Sequence, residues 1–274
     1  MVVKNTSQYR CPLCREALFL REKTYGCINN HRFDKAKQGY VNLLPVQFKH
    51  SKQPGDNKAM VKARREFLER GYYQPLIDTM LTLYRKHIGT ESKVFDAGCG
   101  EGFYTHQHKN NINSVYGVDI AKEAIILAAK RHKSCFFSVA TLSDLPFADE
   151  YFDWIYSVYA PILETEFTRI LKTNGYLLTV TPAENHLFEL KSLIYRDVKK
   201  HDTSKPIVNK LTLIDEQRLH YSMKFNNSTD LLNLLAMTPF AFKASSNLLD
   251  SLTKLNTFTC QADFILRLYQ KTQS

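Results

Sequence analysis

The chain has 274 residues, 44% hydrophobic and 23% charged, which suits a globular protein with one large core and a small appendage. No apolar run reaches the roughly 18 residues of a membrane helix. Met1-Val2-Val3-Lys4-Asn5-Thr6 lacks the apolar stretch of a signal peptide, so a cytoplasmic location is expected. The net charge of +10 is unevenly spread: residues 1–70 hold 15 Lys and Arg against 6 Asp and Glu, and residues 71–274 hold 22 against 21. A basic segment on a nearly neutral body points to a polyanionic partner.

Residues 11–31 contain Cys11-Pro12-Leu13-Cys14, then Cys27, then His31. The spacing Cys-x2-Cys-x12-Cys-x3-His supplies four ligands for a closed, structural tetrahedral zinc site. So short a segment cannot bury a core, and a metal would supply its folding free energy. The alternatives are a redox Cys-x-x-Cys, which should follow a strand and open a helix, and unrelated thiols lying close in sequence. From Arg32 to Asp56, Lys35, Lys37, Lys49 and Lys52 interleave with Phe33, Tyr40 and Phe48. Amines beside rings suit looped or single-stranded RNA, although a solvated linker would look similar.

A helix is expected over 57–70, capped by Asp56 or Asn57, with Met60, Ala63, Phe67 and Leu68 on its apolar face and Gly71 at its end. A second runs from Gln74 or Pro75 to His87, with Leu76, Ile77, Met80, Leu81 and Tyr84 at helical spacing. The hinge Gly71 to Pro75 is placed to fold over a cofactor mouth. From Lys93, strands at 93–97, 114–119, 135–139, 152–158 and 176–181 alternate with helices at 103–109, 121–132, 163–172 and 185–200, the pattern of an open, mainly parallel sheet. Residues 201–216 read as an irregular excursion. A strand at 217–226, a helix at 229–236 and a strand at 257–269 close the chain and can add an antiparallel edge.

The first of these strands runs into Asp96-Ala97-Gly98-Cys99-Gly100-Glu101-Gly102. A strand, a glycine turn and a helix let a ligand approach bare backbone, and Asp119 after the next strand stands where a ribose diol is held. A dinucleotide site wants Gly-x-Gly-x-x-Gly, but Phe103 occupies the third glycine position. An acid ahead of the turn suits a cofactor with a cationic amino acid end. S-adenosylmethionine fits, with Asp96 toward its ammonium and sulfonium and Asp119 toward its ribose.

From about Lys93 the chain resembles the class I, Rossmann-like methyltransferases, with Leu145-Pro146-Phe147 before Phe152-Asp153 and Leu171 to Tyr176 before the next strand. With Cys11-Pro12-Leu13-Cys14, His31-Arg32-Phe33-Asp34, Gly39 to Pro45, Pro54-Gly55-Asp56, Thr181-Pro182 and Met237-Thr238-Pro239-Phe240, nearly the whole chain resembles the bacterial 23S rRNA guanine-N1 methyltransferases. The resemblance implies an α/β fold: a mainly parallel seven-stranded sheet with an antiparallel edge strand, preceded by a small zinc module. It divides the chain into a basic zinc-binding RNA module (1–56), linking helices (57–92) and an S-adenosylmethionine-dependent methyltransferase domain (93–274). It implies Cys11, Cys14, Cys27 and His31 as Zn2+ ligands, and Tyr73, Gly100, Glu101, Asp119 and His186 around the cofactor, beside Asp96, Gly98 and Gly102 of the turn. Tyr73 and His186 also read as packing residues at helix starts.

The implied reaction is methyl transfer to guanine N1 in a hairpin loop of 23S rRNA. Val158-Tyr159-Ala160-Pro161 lacks the amide of enzymes acting on exocyclic amines, and Cys135 and Cys260 lie in apolar strands, where a pyrimidine-attacking thiol is not expected. Guanine N1 must lose a proton, and Tyr159, His186 and a main-chain carbonyl near Ala160 are the candidates to assist. N1 lies on the Watson–Crick edge, so the base must be unpaired or flipped out. The rival functions are a small-molecule methyltransferase with a structural zinc knuckle, against which the +9 segment speaks, and a ribosome-assembly module with a dead cofactor site. Nothing in the sequence specifies the oligomeric state, and a homodimer is compatible with it.

Overall fold

In the computed structural model, which describes residues 9–48, 58–110, 113–204, 208 and 210–272, five short strands come first. They are β1 (Tyr9–Arg10), β2 (Ala17–Arg21), β3 (Thr24–Gly26), β4 (Arg32–Asp34) and β5 (Val41–Asn42). Helices α1 (Lys58–Glu69) and α2 (Gln74–His87) follow. Then β6 (Lys93–Ala97), α3 (Phe103–Gln107), β7 (Ser114–Asp119), α4 (Lys122–Arg131), β8 (Phe136–Val139), β9 (Phe152–Val158), α5 (Glu164–Ile170) and β10 (Leu171–Pro182) bring the expected alternation. The chain closes with α6 (Phe188–Ser192), β11 (Thr212–Phe225), α7 (Ser228–Ala236), α8 (Ser246–Thr253) and β12 (Phe258–Gln270). Lys49, Lys52, Pro54-Gly55-Asp56 and the capping pair Asp56 and Asn57 lie outside the described residues.

The main sheet has the order β11-β12-β10-β9-β6-β7-β8-β5. The run from β10 to β5 is parallel, and β12 pairs antiparallel with both β10 and β11. The antiparallel strand is thus one place in from the edge, and β11, parallel to the core strands, takes the edge expected of it. The eighth strand, β5, comes from the basic N-terminal region: Val41 and Asn42 pair with Ser138 and Val139 of β8. The buried runs of β6 and β9, with Phe95, Phe152 and Trp154 fully enclosed, explain the lack of alternation in their sequences, since both sheet faces are covered.

Three local expectations change. The helix proposed for 185–200 spans only Phe188–Ser192; it starts late because Leu187 before it is left-handed at φ 57°. The excursion ends early, since β11 begins at Thr212; as an edge strand it alternates exposed and half-buried positions, so its acids mask it. On α1, Val61 is buried with Ala63, Phe67 and Leu68, while Met60 is half-exposed.

Strands β1 to β4 form a separate antiparallel sheet. It does not stand alone. Tyr9 packs against Tyr25 and Phe147, each ring 5.4 Å away, and these belong to one core cluster with Phe95, Phe152 and Phe167 of the main domain. Arg10 N–H donates to the Pro146 carbonyl at 2.9 Å, its guanidinium pairs with Asp149 at 3.1 Å, and Arg15 pairs with Asp144. The loop before β9 is therefore the seat of the small module.

Candidate metal centre and cofactor cleft

Cys11 and Cys14 flank the turn after β1, and Cys27 and His31 flank the turn between β3 and β4. Each turn closes on its first cysteine: Arg15 N–H donates to the Cys11 carbonyl at 2.8 Å and Asn30 N–H to that of Cys27 at 3.1 Å. Arg15 and Asn30 are left-handed, at φ 67° and 62°, which turns the chain back so that the thiols converge. The four donor atoms lie within 4.8 Å of one another. Cys14 Sγ is 3.7 Å from Cys27 Sγ, and His31 Nδ1 is 3.4 to 3.5 Å from the three sulfurs. Around one Zn2+ with bonds of about 2.3 Å to sulfur and about 2.0 Å to nitrogen, a tetrahedron sets these separations at about 3.8 and about 3.5 Å. The donor set fits zinc, with no position left for substrate.

At the C-terminal end of β6 the chain turns through Gly98, Gly100 and Gly102, all left-handed at φ 77°, 55° and 81°. A Cβ on Gly98 would stand 2.6 Å from that of Ala160, and one on Gly102 would stand 2.8 Å from the Phe137 ring. Around Gly100 the space is open. Two glycines thus press the turn onto the body, and the third presents bare backbone to a ligand. Asp119, ending β7, accepts from Gly100 N–H at 2.9 Å and Ala121 N–H at 2.8 Å, which braces the turn against the start of α4.

Asp96 is placed differently from expectation. It is buried, and its Oδ2 accepts from Thr105 Oγ1 of α3 at 2.6 Å. Burial pushes its carboxyl up to about 7. As placed, it supports the turn from behind rather than facing a cofactor ammonium. Glu101 is the acid of the turn that lacks a hydrogen bond. Both of its oxygens are buried without a hydrogen bond, and Arg131 and Arg65 stand 3.8 and 4.0 Å away. Burial raises it to about 7 against the pull of the arginines. A cavity of about 150 Å³ joins Glu101 to Gly100 and Asp119, roofed by Val61 and Arg64 of α1. A buried carboxylate with no hydrogen bond, beside an open glycine turn, is compatible with the cationic end of S-adenosylmethionine, and Asp119 lies on the same cavity.

A second cluster lies where β9 and β10 end. Tyr73, buried at the start of α2, brings its hydroxyl to 3.5 Å from His186 Nε2, and the Tyr159 hydroxyl is 3.0 Å from the same nitrogen. Tyr159 is left-handed at φ 61°, a strained conformation for a bulky residue. Asp263 N–H donates to His186 Nδ1 at 3.2 Å. Burial pushes His186 down to about 3, so its ring is neutral. Since a main-chain N–H can only donate, the ring proton resides on Nε2, and His186 donates to Tyr159. Phe264 packs on His186 and Tyr73, with centroids 4.8 and 5.2 Å away. Cys99, Cys135 and Cys260 are buried, and burial raises the thiols of Cys135 and Cys260 to about 11 and about 12, unlike nucleophiles.

The sequence reading missed Asp263, whose carboxylate takes a two-point contact from Arg218 at 2.7 and 2.8 Å. Its signal was an acid inside the apolar run Ala262-Asp263-Phe264-Ile265. Val61 and Arg64 were missed because their role depends on where α1 lies.

A zinc-ribbon family model described as "RlmA, N-terminal" matches residues 9–52, and one described as "Methyltransferase domain" matches residues 95–179. The 23S rRNA (guanine(748)-N(1))-methyltransferase of Streptomyces fradiae is 32% identical over 86% of this chain and 86% of its own. The malonyl-(acyl-carrier protein) O-methyltransferase of Erwinia billingiae is 29% identical over 36% of this chain and 43% of its own. The YcgJ protein of Bacillus subtilis shares the fold at 20% identity, with a TM-score of 0.50 over 72% of this chain and 98% of its own. Among the described residues, no helix is long and apolar enough to cross a membrane.

Proposed function

The chain belongs to the family of 23S rRNA (guanine-N1)-methyltransferases, S-adenosylmethionine-dependent enzymes, and from that premise we propose that it methylates guanine N1 within a hairpin loop of 23S rRNA. The observation that carries this reading is the union, in one chain, of a four-ligand zinc cluster with the glycine turn from Gly98 to Gly102.

Cys11, Cys14, Cys27 and His31 hold structural zinc. Gly100, Glu101 and Asp119 hold the cofactor; Gly98 and Gly102 seat the turn, Asp96 braces it, and Tyr73 with His186 borders the methyl-bearing end. When bound, the cofactor supplies a methyl group on a sulfonium, a good leaving group. The chain supplies orientation and electrostatics. His186 is a poor proton acceptor, since Nδ1 is taken by Asp263 N–H and Nε2 carries the proton. Its part is to donate to Tyr159 Oη. The Tyr159 O–H, which meets Tyr73 within the cleft, turns on substrate binding to donate to guanine O6, where charge develops as N1 loses its proton to solvent. A looped RNA suits this site because the Watson–Crick edge must be open to reach it.

The test is transfer of a labelled methyl group to unmodified 23S rRNA, with the site mapped as a reverse-transcription stop. A stop at one loop guanine is expected. Label without a stop at any guanine would overturn the assignment of N1.

A further inference from the structure

A groove of about 750 Å³ opens between the zinc module and the far edge of the main sheet. Lys23 before β3, Lys35 and Lys37 after β4, and Lys133 after α4 line it, with Glu22 as its acid. Among the described residues, Lys23, Lys35 and Lys37 are not ion-paired. Lys133 Nζ donates to the Gln38 carbonyl at 3.1 Å, which ties the rims together without cancelling the charge. Phe136 also lines the groove and is 37% exposed. One face of its ring stacks on Tyr116, with centroids 4.9 Å apart and planes at 21°.

This groove is not part of the cofactor cleft. Gly98 to Gly102 follow the C-terminal end of β6, whereas Phe136 opens β8, a strand parallel to β6 and β7. Phe136 is in register with Tyr116 and, through it, with Phe95, so the groove opens on the N-terminal side of the strands and the turn on their C-terminal side, and the two share no lining residue. Four ammonium groups facing one acid repel one another unless a polyanion lies between them.

We propose that this groove is a remote anchor for RNA: the lysines meet phosphates of a strand distant from the target guanine, and Phe136 offers its ring to an unpaired base. The proposal rests on the RNA-methyltransferase reading above. Phosphate contacts carry affinity without base identity, and a ring beside them suits a single-stranded segment more than an acidic protein surface.

The test uses the full-length, zinc-loaded protein and an unmodified 23S rRNA transcript, with filter binding over a salt series. In the triple variant Lys35→Glu/Lys37→Glu/Lys133→Glu, the Kd for RNA should rise at least about tenfold and the slope of log Kd against log salt should fall by about 2, at roughly 0.7 per contact. S-adenosylmethionine affinity and zinc content should match wild type, and Lys→Arg at the same positions should restore RNA binding. Phe136→Leu should weaken binding with the slope unchanged. A triple variant that binds RNA like wild type, while wild type still methylates the transcript, overturns the anchor and leaves the groove to an acidic protein. A wild type that transfers no methyl group to the transcript overturns the functional reading instead.

Discussion

Asp263 N–H and His186 Nδ1, 3.2 Å apart, decide which nitrogen of the imidazole carries its proton. The carboxylate of Asp263 is held by Arg218 and accepts from Asn185 N–H at 3.1 Å, so β12 both positions the 183–187 segment and sets the tautomer. His186 is thereby a donor toward Tyr159.

Tyr159 and His186 should then act as one unit. Tyr159→Phe and His186→Ala are each expected to lower the single-turnover rate about 100-fold, the lower end of a positioned donor's contribution. The double variant should be no slower than the worse single one, because coupled groups are not additive. With His186 held neutral down to about 3, its titration should be missing from the rate profile between pH 5 and pH 8.

Glu101 trades stability for binding. Its carboxyl is raised from 4.5 to about 7, so its protonated form favours the cofactor-free fold, and that contribution is lost as pH rises from 4.5 through 7. Glu101→Gln should stabilise the cofactor-free protein at pH 8 by about 1–3 kcal/mol and by little below pH 5, read as the change in denaturation midpoint. Cofactor affinity in wild type should strengthen from pH 6 to pH 8 as the acid ionises. In the variant it should be weaker and flatter, as calorimetry would show.

The three turn glycines should separate into two classes. Gly98→Ala sets a Cβ 2.6 Å from that of Ala160 in a left-handed conformation, so it should lower the unfolding temperature as well as cofactor affinity. Gly100→Ala meets no atom within 4 Å and costs only backbone strain of about 1–2 kcal/mol, yet it fills the face offered to the ligand. Its loss should fall chiefly on cofactor affinity.

Removal of zinc should be felt throughout the chain. Tyr9 and Tyr25 share a core with Phe147 and Phe152, so Cys14→Ser or a chelator should lower a single melting transition rather than create a separate early one. Each kcal/mol lost should move the midpoint by about 2–4 °C. Scanning calorimetry with metal analysis checks this, and an unchanged main transition would show that the module melts independently.

The sheet was legible where apolar runs and turn residues act locally. The bounds of β6, β7 and β9 follow from their continuous apolar character, and the zinc ligands from spacing alone. What was hidden depends on distant partners. Val41 and Asn42 form a strand only because the edge of β8 is there to receive them. The strand β11 hid its period behind acids on a half-buried edge, and α8 exposes most of its residues, leaving only Leu252 buried. In the cleft, adjacency of Asp96 to the turn was readable, but that Thr105 would occupy its carboxylate was not.

The two-residue strand β5 turns the N-terminal region into a ruler. A segment hydrogen-bonded in register to β8 cannot slide without breaking those bonds. The span from whatever the zinc module grips to the methyl donor is therefore a constant of the sheet. The module is also seated on residues 144–149 through Tyr9, Arg10 and Arg15, so, on the reading proposed above, loosening that seat with Arg10→Ala should blur the choice of guanine without abolishing methyl transfer.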